Sequence, residues 1–288
     1  PNDFQGLGYG MILAAYMDDK STFDGLWGFA QYISDSNGLP NWRASTSGDI
    51  WGDGSASDAD LDIGFALVLA ADVFTPGDAS STYLASAKTF LASVLAHDLD
   101  SSTMLVKPGD GWEGDVPFNP SYFAPGYFEL FEEVTGDSSW STAWSKGWSF
   151  LLNDCTNYHK SGSGLLPDWT NSLTSCAPGT DVKENDDKDS GSDYYYDAIR
   201  APWRLATSAV WTCDTNALSW TSDMASFFNS VGTGGMQQGF TMDGASLGGG
   251  DNNCFLSTGA TAMIPQQTEA TVNTWWTSTT TNMAGNGI

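Results

Sequence analysis

Positive charge is what this chain has least of. Ten Lys and Arg stand against 35 Asp and Glu, giving a formal charge of −25 over 288 residues. A nucleic-acid partner is all but excluded, because phosphate neutralisation needs a basic face that so few cations cannot build against this field, and an anionic membrane surface is disfavoured for the same reason. Histidine is nearly absent, with only His97 and His159. Neither sits in a recognisable motif, so a Ser-His-Asp triad or a multi-histidine metal site lacks material. The acid/base groups of any enzyme here are then expected to be Asp and Glu. The four cysteines, Cys155, Cys176, Cys213 and Cys254, show no C-x-x-C spacing of a zinc or redox site. Two structural disulfides are expected. Proximity pairs Cys155 with Cys176 and Cys213 with Cys254, although four cysteines allow three connectivities. No apolar run approaches the roughly 20 residues needed to cross a bilayer; the longest lies around Ile63–Ala71. The opening Pro1-Asn-Asp-Phe4 has neither the basic nor the apolar region of a signal peptide, so any leader is expected to be already removed or not included.

What the chain does have is apolar and aromatic material: 41% hydrophobic residues, 13% aromatic, and 13 tryptophans. That is enough for one large core, and residues 1–288 are expected to form a single domain. Apolar spacing predicts helices in pairs: Tyr9–Met17 with Phe23–Ile33, Asp60–Val73 with Ser86–Ala96, Tyr122–Thr135 with Trp140–Asn153, Ala201–Trp211 with Leu218–Val231, and a weaker Leu256–Met263 with Ala270–Met283. Ser21-Thr22 is the expected cap of the second helix. Between the pairs run long Gly/Ser/Asp-rich loops, at about 36–58, 104–121, 155–195 and 232–254. Loops of that length are commonly functional surfaces. They carry Trp42, Trp51, Trp112, Trp169 and the run Tyr194–Tyr196 among carboxylates and amides. Aromatic faces flanked by hydrogen-bonding groups suit sugar rings, whose C–H faces pack on indole while their hydroxyls are bonded.

Three constellations could carry chemistry. In Asp53-Gly-Ser-Ala-Ser-Asp58-Ala-Asp60-Leu-Asp62-Ile, aspartates run into a helix start, and Asp58 and Asp62 share a face at i and i+4. Simple N-capping would explain one of these aspartates but not three, and the ligand order does not match an EF-hand loop. In Tyr194-Tyr-Tyr196-Asp197-Ala-Ile-Arg200-Ala-Pro-Trp203-Arg204, two of only three arginines lie within seven residues of Asp197. A cation beside it favours the charged carboxylate that a general base must be, and the alternative is an ordinary surface ion pair. In Gln5-Gly6-Leu7-Gly8-Tyr9-Gly10-Met11, alternate glycines allow close backbone approach, as at the rim of a cleft. The spacing is not that of a dinucleotide loop. A further acidic loop, Asp181, Glu184, Asp186, Asp187, Asp189 and Asp193, reads as a solvated face, with a calcium site as its rival.

Taken together, the chain resembles glycoside hydrolase family 8, the inverting endo-acting glycanases, from Gln5 to about residue 265. The likeness rests on Gly6-Leu-Gly-Tyr-Gly-Met11, Ser57-Asp-Ala-Asp-Leu-Asp-Ile63, Lys107-Pro-Gly-Asp-Gly-Trp112, Asn119-Pro-Ser-Tyr-Phe-Ala-Pro125, Gly164-Leu-Leu-Pro-Asp-Trp169 and Tyr196-Asp-Ala-Ile-Arg200. The resemblance implies an all-α fold, an (α/α)6 barrel of helical hairpins. It makes Asp197 the base that activates water, supported by Tyr196 and Arg200. Asp58 becomes the carboxylate that holds the distorted sugar, and Trp42, Trp112 and Tyr122 become substrate-binding aromatics. The implied partner is a β-1,4-linked polysaccharide or oligosaccharide, cellulose-like glucan ahead of xylan, met by a secreted monomer that needs no cofactor or metal.

Two departures stand out. The family's general acid is a glutamate immediately before the Gly-x-Gly-Tyr-Gly run, and here that place is Gln5. An amide cannot give the leaving oxygen its proton, so the acid half of a two-carboxylate inverting mechanism is missing. Asp3 is the nearest other carboxylate, displaced by two positions and on a shorter stem. The expectation is a chain that binds glucan and cleaves it very slowly, either because the glutamate was engineered to glutamine or because a natural loss left a carbohydrate-binding pseudoenzyme. The second departure is in helix count. A six-pair barrel needs twelve helices and about ten are read, so a helix is expected to be missing at each end.

Overall fold

The computed structural model describes residues 5–179, 191–249 and 253–285. Asp3 and the acidic positions Asp181, Glu184, Asp186, Asp187 and Asp189 lie outside the described residues. Ten α-helices are described: α1 Gln5–Tyr16, α2 Lys20–Tyr32, α3 Ser57–Phe74, α4 Thr82–His97, α5 Pro125–Thr135, α6 Ser139–Asn153, α7 Arg200–Trp211, α8 Thr215–Val231, α9 Asn253–Met263 and α10 Glu269–Gly285. Two small antiparallel ribbons interrupt the loops, β1 Arg43–Ala44 with β2 Ile50–Gly52, and β3 Thr170–Ser172 with β4 Ser175–Pro178. The fold class is all-α, and the helices follow one another as hairpins in the pairs that the apolar spacing predicts.

Local chemistry explains where the elements begin and end. Asp19, not Ser21-Thr22, caps α2. Its carboxylate accepts from the Thr22 backbone N–H at 3.0 Å and from the Thr22 hydroxyl at 2.7 Å, so the helix starts three residues earlier than the apolar pattern suggests. Ser81 caps α4 and Asp214 caps α8. α5 begins at Pro125 rather than Tyr122. Proline is at home in the first turn of a helix, and the residue before it is pushed out of the α region, which leaves Pro120–Tyr122 as a separate 3-10 turn capped by Asn119.

The chain divides into two compact units. One comprises the residues up to Gly114 together with Tyr127–Ala143; the other comprises Asp115–Gly126 and the residues from Trp144 onward. In the first unit α3 is buried without a break from Ser57 to Leu67, three aspartates included. α1 packs tightly on it at Gly8, where a Cβ would lie 2.8 Å from the Asp62 Cβ and 3.2 Å from the Ala59 carbonyl. Two of the three alternate glycines therefore serve helix packing, Gly8 towards α3 and Gly10 towards Leu26 of α2, whereas a Cβ at Gly6 would meet nothing within 4 Å. Gly64 gives the other side of α3 room for Leu91 and Phe131, and Phe65 stacks on Tyr127 at 4.5 Å. In the second unit Phe123 packs edge-on against Trp148 at 5.1 Å, over Gly147, and Gly126 lies against Ser208 of α7.

Of the two expected disulfides, Cys155–Cys176 is present and fastens the β3–β4 ribbon to the end of α6. The expected Cys213–Cys254 bridge is not formed, and both side chains are exposed thiols. Cys213 follows the C-terminal end of α7. Cys254 precedes Phe255, whose ring packs 5.2 Å from Tyr196, just ahead of the N-terminal end of the same helix. Twelve helical residues span about 18 Å, against the 4.4–6.8 Å between Cα atoms that a disulfide requires. Nearness in sequence misled because a whole helix separates the two ends.

Candidate active site

Asp197 stands in the short segment between the Tyr194–Tyr196 run and α7, and both of its oxygens are engaged. Arg200, one helical turn on, donates from Nη2 to Oδ1 at 2.6 Å, and the Trp169 indole Nε1–H donates to Oδ2 at 2.8 Å. The two charged side chains are 14% and 9% exposed, so this ion pair is screened far less than a surface pair would be. Arg200 is itself held in place. Its Nε donates to the Ser121 hydroxyl at 3.0 Å, that hydroxyl donates to Asn119 Oδ1 at 2.7 Å, and the guanidinium lies 5.2 Å above the Tyr122 ring. Tyr122 is buried and meets the edge of Trp169 at 5.8 Å.

The backbone that presents Asp197 is pinned from below. The fully buried Asp168 accepts from the backbone N–H groups of Tyr195 and Ala198 at 2.8 and 2.7 Å, bracketing Asp197. Tyr194 pairs its backbone with Phe240, and its ring is buried against Phe228 and Phe255. Burial pushes the Tyr194 phenol above its ordinary range. Tyr196 faces outward, 40% exposed, with its ring on Phe255. The second arginine of the motif, Arg204, is buried with its guanidinium 4.3 Å from the Trp203 ring centroid.

In the first unit, Asp58 lies in the first turn of α3 and is buried. The N-cap of that helix is Ala56, so capping does not account for its aspartates. Asp60 and Asp98 are buried behind it. Burial pushes Asp60 well above the usual carboxylate range, and the charges of Asp98 and Asp58 add to the effect. Burial also drives Asp98 up to about 7, against hydrogen bonds from Ser55 and Asp60 that favour its charged form. The Ser55 hydroxyl donates to Asp98 Oδ1 at 2.9 Å and accepts from the Asp110 N–H at 3.1 Å. Asp110 in turn accepts from the Ser55 N–H at 2.8 Å and the Asn37 amide at 2.7 Å.

This network supports the loop that carries Trp112, whose carbonyl accepts from Lys107 Nζ at 2.9 Å. Trp112 is 48% and Trp42 40% exposed, leaving indole surface available to a ligand. Gly52 makes room for the Trp42 indole, since a Cβ there would come within 2.4 Å of it, and the Arg43 guanidinium lies 5.8 Å from its ring. Gln5 is the first residue of α1.

Sequence reading selected Asp197, Arg200 and Tyr122, and the fold brings these three together. It did not foresee Trp169 as the second donor to Asp197, Ser121 and Asn119 as the clamp on Arg200, or Asp98 beside Asp60. The first three lie inside motifs whose spacing was legible; Asp98 follows a helix and lies outside every motif read from the sequence.

The sequence pattern described as glycosyl hydrolases family 8 matches residues 3–276. Endoglucanase 2 of Ruminiclostridium josui is 33% identical over 264 residues, which cover 90% of this chain and 54% of that protein. A beta-glucanase of Niallia circulans is 30% identical over 288 residues, 94% of this chain and 69% of that one. The chain thus spans about half the length of the endoglucanases it matches. Among solved structures, the apo beta-1,3-1,4-glucanase from Paenibacillus sp. X4 superimposes with a TM-score of 0.86 at 27% identity, over 99% of this chain and 77% of that one.

Proposed function

The chain belongs to family 8 of the glycosyl hydrolases, and on that premise we propose that residues 1–288 are the catalytic domain of an inverting, endo-acting β-1,4-glucanase whose general acid is replaced by Gln5. The observation that carries this reading is Asp197. A carboxylate gripped by Arg200 and by the Trp169 indole is oriented beside a cation, which suits a base that must deprotonate water. Asp58 is assigned to the sugar at the scissile bond, and Trp42, Trp112 and Tyr196 to neighbouring sugar rings. Tyr122 acts beneath Arg200. A single catalytic domain is supported by the family match, which runs through both units without a break. A neutral polysaccharide is too large to enter a cell, so the domain is assigned to the outside, where the Cys155–Cys176 disulfide would persist.

With Gln5 in the acid's place, the domain binds β-glucan and turns it over slowly. General acid catalysis contributes a factor of about 10² to 10⁴. Gln5→Glu is therefore expected to raise the rate of β-glucan hydrolysis by at least about 10², with inversion at the anomeric carbon. An unchanged low rate in that variant, with oligosaccharide affinity retained, would replace the enzyme reading by that of a glycan-binding domain. The same variant offered β-1,4-glucan, mixed-linkage β-glucan and xylan ranks the substrates. Names of relatives support glucan, and faster cleavage of xylan would overturn it.

A further inference from the structure

The carboxyls of Asp60 and Asp98 pose an accounting problem. Both residues are buried, 1% and 0% exposed, and each has an Oδ2 atom with no hydrogen-bond donor. The two side chains are within hydrogen-bond reach of each other. Two carboxylate anions could not occupy this position, since like charges in contact repel and a buried charged acceptor without a donor is costly. One proton between them removes both faults: it neutralises a charge and supplies a donor within the pair.

We propose that Asp60 and Asp98 share a single proton, and that this hydrogen-bonded acid pair is a positioning device tying the first turn of α3, which carries Asp58, to the 98–112 loop, which carries Trp112. The surroundings fit such a tie. The Asp98 carbonyl accepts from the Lys107 N–H at 2.7 Å, and the Ser57 N–H donates to the Pro108 carbonyl at 3.2 Å. Gly109 is pressed so closely on Ser55 that a Cβ would lie 2.1 Å from the Ser55 carbonyl oxygen. Ser55 completes the link by its bonds to Asp98 and Asp110. The carboxyl pair is thus the buried fastening under a junction whose outer side is backbone.

The charged groups that act on the pair are Asp58 on α3 and Lys107 and Asp110 in the loop, with Asp35 beyond Asp110. Elsewhere in the first unit α4 carries Lys88 and His97, and α5 carries Glu129, Glu132 and Glu133. α1 carries no acid or base beyond the phenols of Tyr9 and Tyr16. Lys107, whose charge acts on Asp98, directs its Nζ to the Trp112 carbonyl and leaves Oδ2 of both aspartates without a donor. Both pKa shifts are upward, so the folded chain holds a proton that the unfolded chain has already lost. The stabilisation is complete below the ordinary carboxylate range and fades as pH rises through the raised titration of the pair.

The test is thermal unfolding against pH, alongside binding of a β-1,4-linked glucose oligosaccharide, for the chain as it stands and for Asp60→Asn, Asp60→Ala and Asp98→Asn. The parent Tm is expected to fall as pH rises from 4 to 8. Asp60→Asn keeps an N–H donor for Asp98 but no titrating proton, so its profile is expected to be flatter in that window and its affinity to stay within about threefold of the parent. Asp60→Ala is expected to lose at least tenfold in affinity, reading the loosened Trp112 loop. If Asp60→Ala does not fold, Asp98→Asn must show the same flattening as Asp60→Asn. Profiles of both Asn variants that superimpose on the parent's overturn the shared proton, and parent-like affinity in Asp60→Ala overturns the positioning role. The positioning role rests on the glucanase reading, and the two fail differently. If the parent itself binds no oligosaccharide, the glucanase reading and the positioning role fall together, while the pH profiles still decide the proton.

Discussion

At the residue scale, Asp197 shows how much of a catalytic group's character comes from its neighbours. Arg200 is one turn away and legible in sequence, but the second oxygen is bonded by Trp169, 28 residues earlier. A hydrogen bond to a charged group is worth about 1.5–3 kcal/mol. Trp169→Phe in the Gln5→Glu background retains the ring but not the N–H, and is expected to lower kcat for β-glucan by about tenfold or more. Thermal unfolding should change little, and comparing turnover with Tm separates lost orientation from lost folding. Gly8 makes the opposite point. Its place in an alternating glycine run suggested the rim of a cleft, whereas its immediate service is to let α1 approach Asp62 and Ala59. A pattern of glycines reports that something comes close, not what comes.

At the scale of elements, the apolar spacing placed all ten helices, and the misplaced ends have separate causes. A proline moved the start of α5, and an aspartate cap moved the start of α2. α3 was the least legible, because Ser57, Asp58, Asp60 and Asp62 look like a polar, solvated turn and are all buried. Ser57 is bonded through its backbone to Pro108, and the burial of Asp60 is relieved by the shared proton. Asp214 is the corresponding junction in the second unit. It caps α8 through the N–H groups of Asn216 and Ala217, and accepts from the Trp148 indole of α6 at 2.9 Å and the Ser208 hydroxyl of α7 at 3.3 Å. Asp214→Ala removes a cap worth about 1 kcal/mol and strands a buried indole N–H at a further 1–3 kcal/mol or so. A loss of about 3 kcal/mol in urea unfolding is expected, and a loss near zero would mean that the three helices are held by packing alone.

At the scale of the whole molecule, the charge of −25 turns attention from partners to protons. Most of the acids can face water, but Asp60 and Asp98 cannot, and there the chain accepts raised pKa values. The cysteines divide in the same way between buried work and surface. Reduction of Cys155–Cys176, which spans 21 positions, is expected to cost about 3 kcal/mol by loop entropy. A thiol reagent should find the exposed Cys213 and Cys254 in the native protein, and all four cysteines only after unfolding and reduction. Uptake at four sites in the native state would contradict the bridge. Composition and periodicity by themselves determined the helical class, the pairing of helices and the family motifs, because helix-forming patterns and catalytic residue types are local properties of the chain. Which carboxylate meets which donor was decided by tertiary structure alone. Trp169 reaches Asp197 only after a segment 28 positions long has closed, and Asp98 reaches Asp60 only after α3 and α4 have folded back as a hairpin. The burial that then makes a shared proton necessary is a property of the packed interior, not of any segment.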